Sequence, residues 1–449
     1  MLFIPLRPYI FKKMRKMKTR CSLVLFFLLF TLTIATPQYQ EVYSLKGPFD
    51  HMVQKKPVAF RAFPVWEDSL RFRLYLLVEI QYDYLLFIIH EGKFTASAEI
   101  EVIFKEKDDE HGFTRLWQTS VQTSTFDSTN LKYLYHLTID TLTVPPGNYT
   151  VYFRYTDING ALQFKITQKM NLQVNQAVFI SGPVLLYRNT PPPTGFANFP
   201  EAPSAFGQHW DFNRDVSFFF HFKSAPDNPL HYFQLRIRNK ETQQTELAVD
   251  TTWSHPPQAT FLSIPMATHL LAEGKYEVQT VWKFREQTVK KTYPFRIIWF
   301  DKPFSLWDIR RAIKPLRYVM DTAEYLTFRD APLPLLEHRF KQFWAERDPT
   351  PGTPFNEAMA EFYRRVDIAN RQWSNGGEEG WETDIGKIFI LYGEPDLIED
   401  HSLDPEGQPY LKWIYFIDDR KVEVTFISIE GRKAYRLEKL EEIPNEDSG

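Results

Sequence analysis

Residues 94–104 read Phe-Thr-Ala-Ser-Ala-Glu-Ile-Glu-Val-Ile-Phe, with every even position apolar and every odd one polar except Ile103. Successive side chains of a strand point to opposite faces, so this pattern predicts a strand with one buried face. The period returns at Tyr149, Val151, Phe153 and Tyr155, at Phe164, Ile166, Met170, Leu172 and Val174, at Phe233, Leu235 and Ile237, and at Tyr276, Val278, Trp282 and Phe284. Many short strands divided by turn residues predict a mainly β chain built from antiparallel, Ig-like β-sandwiches. Composition agrees, because aromatics are 16% of the chain, with 39 Phe and 22 Tyr, and favour pleated, half-buried surfaces. Alternation assigns these rings to core packing in preference to an exposed stacking platform.

A weak internal repeat sets the modular plan. Pro146-Gly147-Asn148-Tyr149-Thr150-Val151 resembles Glu273-Gly274-Lys275-Tyr276-Glu277-Val278, 127 residues on. Each Gly is expected to supply the positive φ of a turn, with an alternating strand after it. We therefore divide the chain into β-sandwich module 1 (37–176) and module 2 (177–300). Residues 189–211, with Pro191, Pro192, Pro193, Pro200 and Pro203, predict a long loop or ordered arm.

Residues 1–36 carry seven basic residues and no acid. They include an apolar run from Cys21 to Ala35, followed by Thr36 and Pro37. This is the layout of a secretory signal peptide, cleaved near Ala35. The run is about 15 residues, short of the ~20 that span a bilayer, so a membrane role is expected only if the segment stays attached. Beyond the segment 46 basic residues face 56 acidic ones, a balance that argues against nucleic acid as a partner. Cys21 is the one cysteine, so the mature chain is expected to lack disulfides, thiol nucleophiles and cysteine metal sites.

After Phe300 the period becomes helical. Leu316, Val319, Met320, Ala323 and Leu326 share one helix face, and Leu336, Phe340, Phe343 and Trp344 share a second. Residues 301–334 are read as a helical connector, ahead of a C-terminal domain at 335–449. Thr353 is a candidate N-cap with Pro354 at the first position of a third helix, which Phe355, Met359, Phe362, Tyr363, Val366 and Trp373 mark. It stops at Ser374-Asn375-Gly376-Gly377. Glu361, Arg364 and Arg365 lie off its apolar stripe and read as solvated surface.

Next comes Gly380-Trp381-Glu382-Thr383-Asp384-Ile385-Gly386, then Lys387-Ile388-Phe389-Ile390-Leu391-Tyr392-Gly393-Glu394-Pro395-Asp396. With Phe343-Trp344-Ala345-Glu346-Arg347-Asp348-Pro349 upstream and Trp413-Ile414-Tyr415 downstream, it resembles the GWxTD domain family of exported bacterial proteins. The resemblance implies architecture, since that family has no agreed activity to carry over. Ile385 departs from the Arg expected there. From the residues themselves, Gly380 and Gly386 supply unusual backbone shapes, Asp384 accepts backbone N–H groups, and Trp381 anchors the turn on the third helix. Residues 387–392 are read as a strand, turned at Gly393-Glu394-Pro395-Asp396. A hairpin is expected at 411–417 and 421–429, around Asp418-Asp419-Arg420, with a last strand through 433–437. The result is a small antiparallel sheet packed on a helix.

Glu394, Asp396, Glu399 and Asp400 form an acidic cluster beside His401. A strand over 387–392 spans ~20 Å, which separates Asp384 from these acids. Acid/base pairs in sugar hydrolysis need about 5–10 Å. We find no nucleophile elbow, zinc-helix, phosphate-loop or dinucleotide fingerprint, and the 11 histidines are scattered. No catalytic residue, metal or cofactor is assigned. The expectation is a non-catalytic binding or scaffold protein of the periplasm or cell envelope, with a protein or glycan partner. A carboxylate-dependent hydrolase acting on an envelope polymer is the alternative.

Overall fold

A computed structural model describes residues 57–106, 112–129, 134–160, 162–174, 178–255, 260–375, 377–402, 408–417, 420–429 and 435–444. The expected signal segment, the turn at 418–419 and Gly376 of the stop signal lie outside the described residues. The described chain forms two compact units, one over Val53–Asp301 and one containing Lys302–Gly449. It is mainly β, with antiparallel sheets and a few helices toward the C-terminus. Among the described residues no helix is long and apolar enough to cross a membrane.

The first unit begins with β1 (Val58–Asp68), β2 (Arg71–Gln81), β3 (Ile88–His90), β4 (Lys93–Glu106), β5 (Phe113–Thr123), β6 (Tyr135–Val144), β7 (Gly147–Asp157) and β8 (Gln163–Leu172). Sheet β1-β2-β6 faces sheet β3-β4-β7-β8, with β5 also paired to β4. Phe72, Leu74, Leu76, Val78 and Ile80 of β2 meet Ala96, Ala98, Ile100, Val102 and Phe104 of β4 in one core. The β4 residues are even positions of the alternating run 94–104.

The second half adds β9 (Val178–Tyr187), β10 (Ala202–Pro203), β11 (His209–Asp211), β12 (Val216–Ser224), β13 (Leu230–Asn239), β14 (Thr245–Thr252), β15 (Phe261–Met266), β16 (Gly274–Phe284) and β17 (Thr288–Ile298). Its sheets run β10-β9-β12-β15 and β11-β17-β16-β13-β14. Phe220 packs on Trp282 at 5.2 Å and Phe218 on Phe295 at 5.6 Å, both edge-on, filling the space between the sheets.

The repeated Gly-x-Tyr-x-Val opens β7 and β16 with one shared contact. The Tyr149 hydroxyl donates to the Pro145 carbonyl and the Tyr276 hydroxyl to that of Ala272, each at 2.9 Å. Gly147 and Gly274 do not have the positive φ expected of them. A Cβ on Gly147 would stand 2.1 Å from Glu106 Oε1 and 3.1 Å from the Tyr149 ring, while one on Gly274 would make an ordinary 3.6 Å contact with the Tyr276 ring.

The proline-bearing segment 189–211 is an ordered arm. Phe199 and Ala205 join Ala59, Phe63, Tyr75 and Leu77 of the first sheet and Val184, Leu186 and Phe219 of the second half in a further core. Sheet β1-β2-β6 is therefore buried on both faces. That explains the near-continuous apolar run of β2, Phe72 to Ile80, since alternation survives only where one face meets water. Glu79 lies within this buried seam at 3% exposure. Its carboxylate accepts from the Ala205 N–H at 2.8 Å and the Ser204 hydroxyl at 3.0 Å.

The second unit contains α1 (Thr322–Arg329), α2 (Leu333–Ala345), α3 (Glu357–Trp373), α4 (Asp384–Tyr392) and the antiparallel sheet β18 (Leu397–His401), β19 (Tyr410–Ile417), β20 (Arg420–Ser428) and β21 (Tyr435–Pro444). Three local expectations are corrected. Leu316 to Leu326 is not one helix, because Asp321 caps a new one through the Glu324 N–H at 2.8 Å, and Leu316 lies in a preceding 3-10 turn. The third helix starts at Glu357, not Pro354. Asn356 is its N-cap, accepting from the Met359 N–H and donating to the Trp344 carbonyl, so it serves two helix ends. Residues 387–392 are helix, not strand. An apolar run of that length fits either form, and Thr383 decides it as an N-cap that accepts from the Gly386 N–H at 3.1 Å.

Candidate functional site

The signature segment lies between α3 and the sheet. α3 turns Ala358, Met359, Phe362, Tyr363, Val366 and Ala369 inward, and Ala369 and Asn370 lie in its last turns. Gly380 rests on that backbone: a Cβ there would stand 1.9 Å from the Ala369 carbonyl oxygen. A Cβ on Gly386 would meet the Gly380 carbonyl oxygen at the same 1.9 Å. Neither glycine has positive φ. Both are needed for close approach of backbone to backbone, not for the unusual dihedral expected of them.

Trp381 is 3% exposed. Its backbone N–H donates to Asn370 Oδ1 at 3.0 Å, its carbonyl accepts from the Tyr318 hydroxyl at 2.9 Å, and its indole donates to Glu379 at 2.5 Å. The Arg317 guanidinium stands 4.5 Å from its ring. Glu379 and Glu382 close a capping box on the short 3-10 turn Gly380–Glu382. The Thr383 hydroxyl donates to the Gly380 carbonyl at 2.7 Å while accepting from Gly386, so it joins both glycines. Asp384 is half-buried, and its carboxylate accepts from the Leu437 N–H at 2.9 Å. It ties the start of α4 to β21, 53 residues later. An acid in the first helical turn also suits the macrodipole. Ile385, where an arginine was expected, is buried core.

At the other end of α4, Gly393 takes φ +86 and ends the helix, which is the one signature glycine whose dihedral matters. Its carbonyl accepts from the Tyr415 hydroxyl at 3.2 Å, and Tyr392 packs on Tyr415 at 5.3 Å. Arg365 is corrected from solvated surface to a structural residue. Its side chain is 15% exposed, bonds Glu361 at 2.7 Å and donates to the Ile390 carbonyl at 3.3 Å. A cation at a helix C-terminus is favoured there. Arg364 does sit at the surface, paired with Glu361 at 2.7 Å. Periodicity could not find the role of Arg365, because the carbonyl it meets belongs to another helix.

The four acids after the signature are placed separately. Asp396 accepts from the Phe416 N–H at 2.7 Å, which pins the turn into β18. Glu399 faces Lys412 across the sheet at 3.6 Å. Asp400 accepts from the Ser402 N–H at 2.9 Å, and bonds to Ser402 hold its carboxyl below the usual range. Glu394 and Asp400 are exposed, and Pro395 between Glu394 and Asp396 is half-buried. His401 stacks on Tyr410 at 4.3 Å. Among the described residues no three His, Cys, Asp or Glu side chains are grouped to hold a metal ion. This arrangement closes turns and joins helix to sheet.

Comparison with known proteins gives one family. Residues 280–445 match the family model of the GWxTD domain. No curated protein matches the chain. Among solved structures, one described as the structural basis of neurohormone perception by the receptor tyrosine kinase Torso is 11% identical, over 54% of this chain and 72% of that one, with a TM-score of 0.16. A biofilm associated protein BSP domain is 10% identical, over 54% of this chain and 52% of that one, with the same TM-score of 0.16. Likenesses of this size carry nothing over to this chain.

Proposed function

The chain belongs to the GWxTD domain-containing family, and on that premise we propose that it is an exported bacterial cell-envelope protein that acts as a non-catalytic binding or scaffold module. Its Ig-like sandwiches present surface to a protein or glycan partner, and the GWxTD domain completes the assembly. The observation that carries this reading is the use of the signature: Gly380, Trp381, Thr383, Asp384 and Gly386 are committed to backbone contacts and bonds inside their own unit. The tyrosine contact that opens β7 and β16 supports the Ig-like assignment, since such sandwiches tie a strand start in this way. The basic and apolar order of residues 1–36 supports export.

The test is capture of partners from envelope extract by the full chain, across a range of salt. Recovery of a specific partner that a scrambled-surface control does not retain is the expected result. Recovery of nothing at any salt contradicts the proposal.

A further inference from the structure

We propose that a polar cleft at one end of sheet β10-β9-β12-β15 binds an acidic sugar, a uronic acid residue held by its carboxylate and hydroxyls. This rests on the binding reading above and gives it a site and a ligand class. The cleft has a volume of about 500 Å³, within the usual range for small-ligand sites. It lies where β9, β12 and β15 end together: Val216 pairs with both Tyr187 and Met266. The segments leaving those strands line it with Arg188, Asn189, Asn213, Arg214, Asp215 and His269.

Three features show that the cleft is built. First, Asp215 organises it. One oxygen accepts from the His269 backbone N–H at 3.0 Å and lies 2.6 Å from its Nδ1, and the other accepts from Arg188 at 3.2 Å. Arg188 and His269 are thus held from behind, and the remaining guanidinium donors stay available to a ligand. Second, Arg214 is held over the Tyr187 ring at 5.5 Å and pairs with Asp211 at 3.2 Å. Third, Asn189 and Asn213 have φ of +61 and +63. Asparagine tolerates this turn conformation, and both residues line the cleft.

The lining selects the ligand chemistry. Asp215 and Asp211 balance the charges of Arg188 and Arg214, but each guanidinium has five donors, more than its ion pair uses, and arginine's planar fork suits a carboxylate. The carboxamides and Asp215 both offer acceptors, which call for ligand donors. Phosphate supplies few donors at neutral pH, whereas a sugar ring supplies several hydroxyls. Apart from Tyr187 the lining residues are polar or charged, which disfavours a hydrophobic side chain. A single carboxylated sugar meets each condition.

The test is calorimetric titration of the full chain with D-glucuronate and D-galacturonate, with D-glucose and acetate as comparisons. At least one uronate is expected to bind at least about tenfold more tightly than glucose or acetate, the size of one charge-assisted hydrogen bond. Arg214→Met is expected to weaken it by a similar factor. Asn213→Gly keeps the left-handed backbone while removing the carboxamide, so weaker binding by this variant reports contact and not misfolding. Absence of uronate binding, equal binding of glucose or acetate, or unchanged affinity in both variants overturns the assignment. Partner capture by Arg214→Met separates the two readings. Retained capture of a protein by a chain that ignores uronates removes the cleft assignment and leaves the binding function standing.

Discussion

Gly380→Ala is expected to destabilise the C-terminal unit by at least about 3 kcal/mol, the upper end of overpacking costs. The new Cβ would lie 1.9 Å from the Ala369 carbonyl oxygen and 2.8 Å from the Asn370 Cα. Both neighbours are helix backbone, so neither can rotate away. Gly386→Ala is expected to cost a similar amount, because its Cβ meets the Gly380 carbonyl at 1.9 Å and Thr383 Oγ1 at 3.0 Å. The double variant should cost less than the sum, since both substitutions displace the same turn. Gly377→Ala is the control: its nearest neighbour is the Asn375 side chain at 3.7 Å, and it should stay within about 0.5 kcal/mol of the parent. Peptide-resolved hydrogen exchange during urea unfolding reads these values. Protection should fall in 302–444 and stay unchanged in 57–301. Equal stability of Gly380→Ala and parent would contradict the close packing.

The second large effect is a pH dependence from Glu79. Burial pushes its carboxyl from 4.5 up to about 7, against the opposing pull of the Ala205 N–H and the Ser204 hydroxyl. In the unfolded chain the group ionises near its ordinary value, while in the folded chain it keeps its proton until about 7. Its contribution is therefore greatest below about pH 4.5, falls as pH rises to 7, and is flat above. The full loss is about 3 kcal/mol, at 1.36 kcal/mol per pH unit. Glu79→Gln stays neutral and retains an acceptor for Ala205, so it should flatten the slope. Urea midpoints between pH 5 and 8, read by exchange in the arm at 199–206, check this. A slope that persists in Glu79→Gln assigns the effect to another group.

How far the sequence reads depends on where the partner of each residue lies. Alternation located β4, β7, β13 and β16 because each has one face turned from the core. It was silent on β2 and β12, whose second faces are covered by the seam, where Glu79, Ser217 and His221 sit among apolar neighbours. The hairpin β19–β20 followed from pattern, and the helix at Asp384–Tyr392 did not. An apolar run inside a unit loses its period, so only the cap at Thr383 could reveal it. The glycines were correctly singled out, but for the wrong property. Local sequence shows that a glycine lacks a side chain and not which backbone will pass beside it. Asp384 to Leu437 and Arg365 to Ile390 span 53 and 25 positions, beyond any local pattern.

The signature holds a helix to a sheet, and Asp384, the residue in it best suited to chemistry, is the most direct test of that role. The measurement is amide exchange across β21 in Asp384→Ala, with partner capture by the same protein. The account predicts loss of Leu437 protection and a fall of about 2 kcal/mol in stability, the worth of one charge-assisted bond. Unchanged protection together with lost capture would contradict it, by placing the carboxylate in recognition or chemistry and not in the fold.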